Sequence, residues 1–289
     1  MSGPGGADAG REALMLRLFA RSVLKQQKLR EITALLGDTA GLDCLDLGSD
    51  NGVVSLLLRR RGGRWASADL DPAAVAAIRE LVGDGVYQLD GPRLPFPDDR
   101  FDVVVVVDLL EHVEDDRTLV EELWRVTRPG GRLVVNVPHA RETALRRLRL
   151  AIGQTDERHG HVRPGYTADG LARLLDGRFA VRRRHTYSRV CCEAVDTLVR
   201  AGVDLVTRGR TSSKGVVVTG ADLDRHARLF RLYSLVYPLF WSAARLDRAL
   251  PFAQGYMLIA EARSTKPAAA ARATPPAPGG ARRPHERSA

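Results

Sequence analysis

The sequence predicts an α/β protein built on a doubly wound, mainly parallel sheet, and three observations carry this. Leu42, Leu45 and Leu47 form an apolar strand that runs into the turn Gly48-Ser49-Asp50-Asn51-Gly52, and a helical pattern starts at Val53. That is the strand–turn–helix that opens a nucleotide-binding sheet. Phe101-Asp102 leads into five consecutive valines, 103–107; a β-branched run without alternation is a strand covered on both faces, hence central and parallel. From residue 42 to 137 strands alternate with helices, the pattern of parallel strands joined by right-handed crossovers.

Residues 1–40 form an amphipathic helical region, one helix or two, with Leu14, Leu18, Leu24, Leu29, Ile32 and Leu36 at near-helical spacing and Gly37 as the stop. Strand one spans 42–47 and its helix 52–61, broken by Gly62-Gly63. Trp65–Ala68 is strand two, ending at Asp69, and Asp71-Pro72 opens a helix to Leu81 with proline in its first turn. A short strand over 85–89 leads to Asp90. After the valine strand come a helix over 115–127, a stop at Arg128-Pro129-Gly130-Gly131 and strand five at 132–137. Thr167 caps a helix to Leu175, and 179–185 reads as a strand. The core is therefore 41–187, with 255–263 as its last strand. Between them, 188–254 is a helical insertion: 190–208 helical, 209–220 a Gly/Ser/Lys linker, and 222–249 helical with a break near Pro238. Residues 264–289, rich in Ala, Pro, Gly and Arg, read as a disordered basic tail.

Composition narrows the function class. Net charge is +9, but the tail supplies +4 of it, so the remainder is too mild to argue for nucleic acid. Three cysteines, two of them adjacent, have neither disulfide nor metal-ligand spacing, so no metal is expected. The N-terminus shows no signal-peptide pattern, and the longest uncharged run near the C-terminus, Leu232–Ala244, is 13 residues, too short to span a bilayer. A cytoplasmic protein is expected, with peripheral contact at the inner membrane surface open.

The turn after strand one carries Asp46 and Asp50. A pyrophosphate at a helix N-terminus disfavours acids there; two acids suit a ligand with an ammonium group and no phosphate, which describes S-adenosylmethionine and not NAD. The spacing agrees, since no third glycine follows Gly48 and Gly52 until Gly62.

The run Leu94-Pro95-Phe96-Pro97-Asp98-Asp99-Arg100-Phe101-Asp102-Val103-Val104, then Asp108-Leu109-Leu110-Glu111-His112-Val113 and Arg125-Val126-Thr127-Arg128-Pro129-Gly130-Gly131, resembles the class I S-adenosylmethionine-dependent methyltransferases of small-molecule and lipid type. The resemblance is close from 42 to about 138 and weaker to 185. It implies a seven-stranded sheet ending in an antiparallel hairpin. It further implies that Gly48, Ser49 and Gly52 bring backbone to the methionine part of the cofactor, and that Asp69, with Leu70 beside it, meets the ribose. Asp90 and Gly91 would meet the adenine, and Asp108 and Leu109 would flank the cofactor. Asp50 stands where the family carries glycine, and its carboxylate is expected to pair with the ligand's ammonium group.

Methyl transfer needs alignment more than acid–base work. Where the acceptor must lose a proton, His112 and His139 are the candidate bases, with His159 and His161 also near the expected pocket mouth; each can equally be a structural histidine. Arg141, Arg146, Arg147, Arg149, Arg158 and Arg163 follow strand five, where they are either a solvated face or a site for an anionic acceptor or membrane. Aromatics beside arginines over 226–250 suit a lid or internal packing, a membrane-facing surface or a homodimer seam. The functions these features allow are methylation of a small or lipid-linked acceptor, at oxygen ahead of nitrogen or carbon, or cofactor binding without catalysis in an interaction module. Neither the Asn-Pro-Pro-aromatic run nor the Pro-Cys pair of nucleic-acid base methylation is present.

Overall fold

The computed structural model describes residues 4–151, 153, 155, 160–195, 197–198, 227–247 and 254–267. Two helices come first, α1 (Pro4–Phe19) and α2 (Val23–Leu36); Ser22 caps α2 and Gly37 ends it at φ 66°. The core follows as β1 (Asp43–Leu47), α3 (Val53–Arg59), β2 (Arg64–Asp69), α4 (Pro72–Val82), β3 (Val86–Gln88), β4 (Phe101–Val107), α5 (Asp116–Val126) and β5 (Thr127–Pro138). A 3-10 turn, Leu110–His112, lies between β4 and α5. Helices α6 (Ala144–Ala151) and α7 (Ala168–Leu175), strand β6 (Phe179–Tyr187), helix α8 (Ala227–Leu246) and strand β7 (Met257–Ser264) complete the described elements.

The strands form one seven-stranded sheet in the order β3-β2-β1-β4-β5-β7-β6. The first five pair in parallel, while β7 lies antiparallel between β5 and β6. The valine strand is central, as its sequence requires, and its side chains alternate between two cores. Val104 and Val106 pack with Leu45, Leu47, Leu133 and the α5 and α7 side. Val103, Val105 and Val107 pack with Cys44, Ile259 and the α2 and α3 side.

Three local expectations change, and one that was left open is decided. The N-terminal region is two helices, parted at residues 20–22. Arg128–Gly131 does not stand outside the sheet but is drawn into β5, with a register shift between Phe101 and Val103, because Arg128 is tied to Asp102 at 2.5 Å and to Asp43 at 3.0 Å. Pro238 does not break its helix. Pro238 is exposed, so its ring meets solvent and not a packed neighbour. Helix α6 forms in the Arg-rich stretch where no element was expected. The 209–220 linker and the 268–289 part of the tail lie outside the described residues.

At the amino-terminal edge of the sheet, Asp43 is nearly enclosed and takes ion pairs from Arg64 at 2.7 Å, Arg100 at 2.9 Å and Arg128 at 3.0 Å. These hydrogen bonds, Arg64 foremost, hold its carboxyl far below the usual carboxylate range despite burial. The stability this adds is present above the unfolded aspartate value of about 4 and is lost as pH falls through the depressed folded one. Asp43→Asn should cost about 2 kcal/mol, below the figure for a fully buried pair because the arginines are partly solvated. Urea unfolding at pH 7 and pH 3 checks this, with the difference between variant and parent shrinking at the lower pH.

Candidate functional site

The strand order reverses between β1 and β4, so the crevice at their carboxyl ends is the switch point where open α/β sheets take ligands. Gly48 turns there at φ 83°, and a Cβ on it would stand 2.2 Å from the Val107 carbonyl oxygen. Gly52 opens α3 in the left-handed region, and its Cβ would sit 2.8 Å from Ile78 Cα. Both glycines thus have a packing reason, against β4 and α4, that the spacing alone did not show.

Asp46 is corrected. Its carboxylate was expected to face the ligand, yet it is wholly enclosed and accepts hydrogen bonds from Ser49 at 2.6 Å, Ser55 at 2.7 Å and Ser67 at 2.6 Å, with Arg59 at 3.5 Å. Ser49 therefore serves the turn through its side chain. The carboxylate pins β1, β2 and α3 together beneath the crevice. The side chain of Leu109 is buried in the core with Leu89 and Leu94, which leaves its backbone to face the crevice.

The other acids stand at the edge. Asp69, nearly buried at the end of β2, accepts from the Asp71 amide at 3.0 Å, and Leu70 beside it is half-buried. Asp90 and Gly91 are exposed past β3. Asp50 and Asp108 both hold left-handed backbone, φ 53° and 46°, which aspartate tolerates better than most residues but not freely. Helix α2 brings a cation to each: Lys25 lies 3.5 Å from Asp50, and Lys28 forms a very close pair with Asp108. Burial pulls the Lys28 ammonium down, but the Asp108 pair and the charge of Glu111 outweigh it and hold it above its ordinary value. Asp108 also accepts from Asn136 at 2.8 Å, and Asn136 accepts from the Tyr187 hydroxyl. A polar chain Lys28–Asp108–Asn136–Tyr187 thus runs from α2 across β4 and β5 to β6.

Tyr187 opens onto a cleft of about 380 Å³ between α2, the end of β6 and α8, lined by Val23, Gln27, Glu31, His185, Trp241 and Arg245. Helix α8 is fastened to α2 by Gln26 donating to Tyr237 at 2.7 Å, and Ala244 packs with Val23 and Cys192. Its other face leaves Leu235, Leu239 and Leu246 more than 60% exposed.

Among the histidines, His139 follows β5, and its Nδ1 donates to the Gly255 carbonyl at 3.0 Å, leaving the lone pair on Nε2. Burial lowers its pKa below 6.5. His112 donates through Nδ1 to the Gly160 carbonyl at 2.9 Å and stands edge-on to His161 with ring centroids 4.8 Å apart. His159 lies outside the described residues.

The arginine cluster is largely taken up by the protein. Arg141 and Arg149 both reach the buried Glu193, Arg146 lies 3.7 Å from Glu142, and Arg163 binds Asp116 at 2.6 Å. Arg147 is exposed, and Arg158 lies outside the described residues. An anionic acceptor held by this whole cluster is not supported by these contacts.

Residues 45–135 match the family described as methyltransferase domain. Over 106 residues the chain is 40% identical to demethylmenaquinone methyltransferase of Mycobacterium sp. (strain JLS). Residues 45–135 are thus a methyltransferase domain of the class I S-adenosylmethionine-dependent kind. That alignment covers 37% of this chain and 46% of the relative. The demethylmenaquinone methyltransferase of Tropheryma whipplei (strain Twist) is 32% identical over 109 residues with the same shares, 37% and 46%. The chain thus spans about half the length of the curated relatives it matches. Among solved structures, the cyclase SpnF superposes with TM-score 0.52 at 18% identity, covering 83% of this chain and 82% of that one. The YcgJ protein from Bacillus subtilis gives 0.52 at 14%, covering 84% and 100%. At such identities these two show the fold alone.

The crevice of the methyltransferase domain fits S-adenosylmethionine on its own chemistry. Its edge carries the carboxylates of Asp50, Asp69, Asp90 and Asp108 and the ammonium groups of Lys25 and Lys28, the kinds of group that complement the hydroxyls, ammonium and carboxylate of that molecule. Asp46→Asn should lower stability by about 3 kcal/mol through lost buried charge-assisted bonds. Asp69→Ala should leave the melting temperature within a few degrees and weaken S-adenosylhomocysteine at least tenfold. Calorimetric titration and thermal melting of both variants separate pin from ligand contact.

Proposed function

We propose that the protein transfers a methyl group from S-adenosylmethionine to a lipid-linked small molecule. The observation that carries this is the alignment, at 40% identity, with a relative whose name states a demethylated menaquinone as its acceptor, over the stretch that builds the crevice. When bound, the cofactor supplies an electrophilic methyl on a sulfonium. In this reading Asp69 accepts from the ribose, Asp90 and Gly91 border the adenine, and the backbone at Gly48 and Gly52 meets the methionine part. Asp50 and Asp108 share the ammonium field with Lys25 and Lys28.

The amphipathic cleft beside Tyr187 is the acceptor's place, with Trp241 and Val23 for an apolar ring and Glu31, His185 and Arg245 for its polar edge. Its volume lies within the range of small-molecule pockets. The exposed leucines of α8, near Arg245, would let the protein rest on a membrane surface where such an acceptor resides. His139 takes the acceptor's proton where one must leave, since burial keeps its imidazole neutral at pH 7.

The test is incubation of the full chain with isotope-labelled methyl donor and a membrane lipid extract, read by mass spectrometry. A labelled lipid product supports the reading, and its fragmentation shows whether the methyl went to oxygen, as the sequence leads one to expect, or to carbon. Tight S-adenosylhomocysteine binding with no labelled product in any extract would instead favour the cofactor-binding module. With a product in hand, kcat/KM should fall as pH drops through a value below 6.5, and His139→Ala should remove that limb.

A further inference from the structure

We propose that Glu111, His112 and His161 form a site for a divalent transition metal of the zinc or cobalt kind. One ligand atom from each of the three lies within 4.8 Å of the others, although His161 is far from the pair in sequence. Ligands at about 2.1 Å around a tetrahedral ion stand about 3.4 Å apart, so the three atoms have to draw in by about 1.4 Å at most to hold one.

The support around them is already built. Glu111 is fully enclosed on the 3-10 turn after β4. The Gly160 carbonyl takes the Nδ1 proton of His112 and so turns the lone pair of Nε2 outward, the arrangement that orients metal-bound imidazoles. The loop bearing His161 is fastened to the same turn: Val162 donates its amide to the Glu111 carbonyl at 2.9 Å, and Arg163 donates to the Leu110 carbonyl at 3.2 Å. Both histidines are half-buried, so the group is not sealed from solvent.

Two imidazoles and one carboxylate suit zinc, cobalt, iron or manganese and not magnesium or calcium, whose ligands are oxygens. Three protein ligands leave a position for water or an acceptor oxygen. Lys28 feels the charge of Glu111, but its pair with Asp108 is neutral overall, so the dication meets a net charge of −1 from the three ligands.

The experiment is titration of tag-free, chelator-treated full-length protein with Co²⁺, followed by its visible d–d absorption, with thermal melting in parallel. One equivalent should bind, and the melting temperature should rise with the metal. His161→Ala should weaken binding at least tenfold and abolish that rise while melting like the parent without metal. Glu111→Gln adds the carboxylate arm if it folds; if it does not, His161→Ala decides alone. No stoichiometric Co²⁺ or Zn²⁺ in the parent, or parent-like binding by His161→Ala, overturns the site. Neither result depends on whether methyl transfer is observed.

Discussion

The enclosed carboxylate of Asp46 is the constraint on which the crevice depends. A charge in a dry interior is tolerated only with several donors around it, and here they come from the turn (Ser49), from α3 (Ser55, Arg59) and from β2 (Ser67). Satisfying one buried group therefore fixes how three elements meet. Gly48 can then pass against Val107, and the ends of β1 and β4 stay close enough to form the crevice. The burial of Arg59 fits the same picture: desolvation lowers its pKa, and Asp46 partly restores it.

Above that base the edge is lined by opposed charges on different elements. The acids stand at the ends of parallel strands or on the loops after them, whereas both lysines come from one face of α2. Such an arrangement favours a zwitterionic ligand over a polyanion, because each end of the ligand finds a complementary group. The superposition on a cyclase shows why this matters, since the sheet by itself hosts other chemistry.

Much of this was legible in the residues. The valine run gave away the central strand because β-branched side chains without alternation have no solvent face, and the glycines gave away the turn. Roles within the turn were less legible: whether Asp46 points up to a ligand or down into the protein depends on Ser55 and Ser67, which lie on other elements. The role of Arg141 and Arg149 stayed open for the same reason, because their partner Glu193 sits in the insertion. Helix α8 crosses Pro238 because the proline is exposed, a fact about tertiary placement that no local pattern holds. The grouping of Glu111, His112 and His161 was hidden by sequence distance; the Glu-His pair directly after a buried strand was the one available signal.

A crystal structure with S-adenosylhomocysteine tests the central claim most directly. The nucleoside should lie across the carboxyl ends of β1 to β4, its ribose on Asp69, with no ligand atom within hydrogen-bond reach of Asp46. Density placed away from the β1–β4 crevice, or a ligand amine seated on the Asp46 carboxylate, would contradict it.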